Sequence, residues 1–91
     1  MPTIPLRPET MKGKAILSQT FDGLEISVKN SLNLMELVVN GMVYAERRGL
    51  VDMGSVLAAR VENVDIKVVT DSSGHVFLYV NDNLLAQKKV L

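Results

Sequence analysis

The chain states one pattern twice. Residues 14–30 match residues 54–70 at an offset of 40, and residues 34–50 match 75–91 at an offset of 41, the extra residue falling in a loop. Leu17/Leu57, Ile26/Ile66, Val28/Val68, Leu37/Leu78, Val39/Val80, Asn40/Asn81, Ala45/Ala86 and Leu50/Leu91 are identical. Asp22/Glu62, Glu25/Asp65, Glu46/Gln87, Arg47/Lys88 and Arg48/Lys89 keep related chemistry. Such a self-match means one supersecondary unit used twice, so the two halves must share a fold.

Inside each unit the period is two. Leu24, Ile26 and Val28 alternate with Glu25, Ser27 and Lys29, and Val64, Ile66 and Val68 alternate with Asp65 and Lys67. Alternation puts one set in a core and the other in water, the signature of a half-buried antiparallel strand. Asp22-Gly23 and Asn40-Gly41 interrupt the first unit, and Glu62-Asn63 and Asn81-Asp82 the second. Gly, Asn and Asp tolerate the positive φ that a two-residue type I′ hairpin needs at both central positions.

Each unit therefore reads as a four-stranded meander, with strands near 14–21, 24–29, 34–40 and 42–48, then 54–61, 64–70, 75–81 and 83–90. Strict alternation assigns Leu17, Phe21, Leu24, Ile26, Val28, Met35, Leu37, Val39, Val43 and Ala45 to the inner face. Their partners are Leu57, Val61, Val64, Ile66, Val68, Val76, Leu78, Val80, Leu84 and Ala86. Burying a large aliphatic side chain is worth about 1.5–3 kcal/mol. Two such faces packed together offset the ordering entropy that one small sheet cannot.

The expectation is an all-β sandwich of two tandem meanders about a pseudo-two-fold axis. The competing geometry is a small closed barrel. An α+β variant arises because Leu50, Met53, Leu57 and Val61 also fall at helical spacing, and residues 31–38 can be read as a short helix.

One domain is all that 91 residues allow, made of residues 13–91 with repeats at 14–50 and 54–91. Residues 1–12 stand apart as an extended arm. Pro2, Pro5 and Pro8 recur at the polyproline II period and cannot serve a central strand. The arm is either loose or laid along the body through Ile4 and Leu6. Aromatics make up only 4% of the chain, so its core must be aliphatic. There is no cysteine, which removes disulfides and thiolate chemistry and points to the cytoplasm.

Ten basic and ten acidic side chains cancel, unlike the cationic surplus of a nucleic-acid binder. No apolar run approaches the roughly 18 residues of a membrane span, and no secretory pattern opens the chain.

Sites of chemistry are scarce. His75 follows Asp71, Ser72 and Ser73, but triad members come from separate segments, and this run has hairpin-loop composition. Neither residues 71–73 nor Asn81-Asp82-Asn83 has calcium-loop spacing; one His and no Cys exclude a zinc set, and no glycine spacing suits a phosphate loop. No catalytic residue, metal or cofactor is assigned. Pro2, Pro5 and Arg7 match the PxxPxR form of some SH3 ligands, a short pattern common by chance.

The outer faces are less polar than solvation requires. Val38, Met42 and Tyr44 in the first unit, and Phe77, Tyr79 and Leu85 in the second, alternate out of phase with the core set. A contiguous apolar patch marks an interface or a covered surface. These six residues are the candidate interface of a non-enzymatic interaction module, a homodimer or binder of another protein. The alternative is a small-ligand carrier for an apolar or saccharide molecule.

Overall fold

The computed structural model describes residues 3–9, 14–31, 34–48, 56–71 and 73–89. All regular structure among them is strand. In chain order the elements are β1 (Arg7–Pro8), β2 (Lys14–Phe21), β3 (Leu24–Ser31), β4 (Leu34–Val39), β5 (Met42–Arg48), β6 (Val56–Val61), β7 (Val64–Thr70), β8 (His75–Val80) and β9 (Asn83–Lys89). They form two antiparallel sheets, ordered β1-β5-β4-β3-β2 and β6-β7-β8-β9, which pack face to face without closing into a barrel. The helical readings fail at 34–38 and 56–61, which are strand. Residues 32–33 and 50–55 lie outside the described residues.

Four hairpins set the register. Both central residues have positive φ at Asp22-Gly23 (50° and 81°), Asn40-Gly41 (50° and 79°), Glu62-Asn63 (49° and 68°) and Asn81-Asp82 (50° and 66°). That pairing matches the right-handed twist of the flanking strands. The Asn side chains do a second job, identically in each half. Asn40 Oδ1 accepts from the Glu25 amide at 2.9 Å, and Asn81 Oδ1 accepts from the Asp65 amide at 3.0 Å.

The core is aliphatic. Leu24, Ile26, Val28, Leu37 and Val39 from one sheet meet Ile66, Val68, Val76, Leu78 and Val80 from the other, all essentially without solvent contact. The edges of the sandwich follow the same symmetry. β2 approaches β9, and β5 approaches β6. Exchanging the two units turns the first approach into the second, as a pseudo-two-fold axis requires.

Strict alternation fails at a matched place in each unit, and the first unit carries a further slip between Ala15 and Leu17. The register slips between Leu37 and Val38 and, 41 residues later, between Leu78 and Tyr79. Each slip is a β-bulge, whose extra residue reverses the alternation beyond it. Tyr44 and Leu85 therefore pack against the core instead of facing out, and Met42 stands opposite the core residue Val39. Val43 and Leu84, expected inside, stand opposite the outward residues Val38 and Tyr79.

The arm is laid along the body, but not through its apolar side chains, since Ile4 and Leu6 are exposed. Backbone bonds hold it: the Leu6 amide donates to Val43 O at 2.7 Å and the Glu9 amide to Gly41 O at 2.9 Å. Thr3 reaches the other sheet, its amide donating to Arg60 O at 2.7 Å and its Oγ1 accepting from the Arg60 amide at 2.8 Å. The arm thus covers the β5 edge of one sheet and touches the β6 edge of the other.

Candidate interaction face

Cross-strand rows give the outer faces their chemistry, because residues paired across neighbouring strands share a side of the sheet. On the first sheet one row runs Ser18, Ser27, Val38, Val43 and ends on Arg7 of the arm. The row beside it runs Ala15, Lys29, Glu36 and Glu46. Arg7 bridges the last two: its guanidinium donates to Glu36 at 2.7 Å and pairs with Glu46. These contacts, the one with Glu46 foremost, raise the guanidinium pKa above its ordinary value. Lys29 pairs with Glu9. Glu36 is 3% exposed, so the arm supplies the counter-charge that lets a carboxylate sit there.

The second sheet carries the same rows with different contents. Ala58, Lys67, Tyr79 and Leu84 form one, and Val56, Val69, Phe77 and Gln87 the other. Where the first face has Lys29, Glu36 and Glu46, this face has Val69, Phe77 and Gln87. Val56 and Leu84 are more than half-exposed or nearly so, and Val69, Phe77 and Tyr79 are partly exposed. Lys67 Nζ lies 5.7 Å from the Tyr79 ring centre, and His75 stacks on Phe77 at 5.8 Å and 24°. A shallow, open depression of about 360 Å³ lies beside them, lined by Thr3, Ala58, Arg60, Asp65, Lys67 and Asp82.

The six sequence candidates thus separate. Phe77 and Tyr79 share the outer face of the second sheet. Val38 faces outward on the first sheet but is buried between Ser27 and Val43. Met42, Tyr44 and Leu85 belong to the core side, for the reason given by the bulges. Val56, Val69 and Leu84 complete the apolar face and were missed. Val56 and Val69 were legible as valines out of phase with the core set; Leu84 was hidden by the bulge.

Asp71, Ser73 and His75 bond to one another. Asp71 Oδ1 accepts from the Ser73 amide (3.1 Å), the Ser73 hydroxyl (2.8 Å) and the His75 amide (2.9 Å). His75 Nδ1 lies 2.8 Å from Ser73 Oγ and 3.4 Å from Asp71 Oδ2. Ser73 Oγ thus stands at 2.8 Å from both Asp71 Oδ1 and His75 Nδ1, and all three groups come from one five-residue stretch, not from separate segments as in a hydrolase triad. The amide bond from His75 is the leading cause that lowers the Asp71 pKa, with the Ser73 contacts adding to it. Among the described residues no three His, Cys, Asp or Glu side chains gather as a metal site. No described helix is long and apolar enough to cross a membrane.

No family model, curated protein or solved structure matches the chain.

Proposed function

We propose that this protein is a non-enzymatic interaction module that self-associates through the outer face of its second sheet. The supporting observation is the contrast between equivalent rows. One copy of the unit fills them with an ionic cluster tied down by its own arm; the other fills them with Val56, Val69 and Phe77 and leaves them open. An apolar face on an otherwise charged small domain is stabilised by covering it.

Its size sets the expected strength. Four strands about 4.8 Å apart and six residues at about 3.3 Å each give a face of roughly 20 Å by 20 Å. That is about half of the roughly 800 Å² per partner in a standard stable interface, which places the dimer in the weak, transient class. Sedimentation equilibrium across about 10–500 μM, a range set by that affinity class, should show a monomer–dimer transition that Phe77→Glu abolishes. Wild type that stays monomeric throughout refutes the reading. Without a closed barrel, a small apolar or saccharide ligand would have the open depression lined by Thr3, Ala58, Arg60, Asp65, Lys67 and Asp82 as its place, which thermal shift against a lipid and metabolite panel tests.

A further inference from the structure

The internal symmetry makes the arm a template. Residues 6–9 occupy the outer edge of β5, and the corresponding edge in the second unit belongs to β9. The bulges and the Asn40 and Asn81 bonds recur at equivalent positions, so the two edges present their backbones alike. Val43 O and Gly41 O, which accept from the arm, correspond to Leu84 O and Asp82 O. Outside the β8–β9 ladder, no described residue donates to those two oxygens. The side chains register the difference: Val43 is 0% exposed and Leu84 50%.

We infer that the β9 edge is a strand-acceptor site for an extended segment of a partner protein, one carrying an apolar side chain where the arm carries Arg7. Strand addition supplies main-chain bonds of the kind seen at β5, and side chains decide which sequence docks. The arm amides of Leu6 and Glu9 donate to β5 on either side of Pro8, which pairs with Met42 without donating, so proline is tolerated in the added segment.

Selectivity follows from the neighbouring row. Arg7 on β9 would face Phe77 and Gln87 where it now meets Glu36 and Glu46, losing both carboxylates. An aliphatic side chain there would cover Phe77 and Leu84 instead. Lys88 and Lys89 at the far end of β9 discourage indiscriminate apolar pairing. This site shares Phe77 with the proposed dimer face, but it is an edge, read out by peptide binding and not by self-association.

The test uses two synthetic peptides of residues 2–10, one with the native sequence and one with Arg7→Leu. Each is titrated into isotope-labelled full-length protein held at about 20 μM, near the bottom of the range over which self-association is sought. The Arg7→Leu peptide should bind, shifting amide resonances of residues 83–86 and Phe77, and the native peptide should bind roughly tenfold more weakly. In the Phe77→Glu protein, which restores an acid at the position of Glu36, the preference should reverse. Leu84→Lys should abolish binding of the Arg7→Leu peptide. No binding of either peptide, equal affinities in wild type, an unreversed preference, or shifts centred on Val43 would each overturn the inference. A protein that fails to dimerise leaves this outcome unaffected, so the two readings fail separately.

Discussion

Glu62 holds a left-handed backbone conformation (φ 49°) that its side chain does nothing to favour. Its counterparts at the first turn position are Asp22, Asn40 and Asn81, whose short polar side chains tolerate it. A residue with an ordinary Cβ gives up about 1 kcal/mol there. Glu62→Asn should therefore stabilise the fold by about 0.5–1 kcal/mol, seen as a higher urea midpoint at unchanged slope. From composition alone Glu62-Asn63 is a poor hairpin signal; only its alignment with Asp22-Gly23 made that turn legible. Asp71 gives a second residue-scale prediction. Its folded pKa lies below the unfolded value of about 3.9, so its stabilisation is present above that pH and lost as pH falls through the folded pKa. Asp71→Asn keeps an acceptor oxygen and removes the charge. It should be less stable than wild type near neutrality, with the difference closing below about pH 4 when thermal midpoints are compared across pH.

At the scale of the element, the bulges decide what each side chain can do. Pure alternation places Leu84 inside and Leu85 outside; the structure reverses both. Leu84→Lys should change stability by no more than about 0.5 kcal/mol, as a surface substitution. Leu85→Lys should cost about 1–2 kcal/mol through lost core contact. Chemical denaturation of the two variants separates the two assignments, because alternation without a bulge predicts the opposite order. The strands themselves were plain in the sequence, from Leu24, Ile26 and Val28 and from the Asp22-Gly23 and Asn40-Gly41 turns. The slip was not, since Met42, Val43, Tyr44 and Ala45 are all compatible with either face. The arm's attachment was hidden for a different reason. Arg7, Glu36 and Glu46 are far apart in sequence, and only the order β1-β5-β4 brings them into one cluster.

For the whole molecule, equivalence of the halves has an energetic reading. Leu37 and Leu78 occupy matched positions and neither meets solvent. Leu37→Ala and Leu78→Ala should each cost about 3–5 kcal/mol and agree to within about 1 kcal/mol. A large disparity in their denaturation midpoints would mean that the repeat no longer bears load equally. The symmetry is nonetheless broken at the rim. Where β5 lies against β6 the strands are consecutive in the chain, and residues 3–9 fasten one sheet to the other through Val43 and Arg60. Where β2 lies against β9 no described segment plays that part. The protein is thus a book with its clasp on one side. Thermal breathing should begin at the opposite margin, and a protease or solvent molecule would enter between the pages from there.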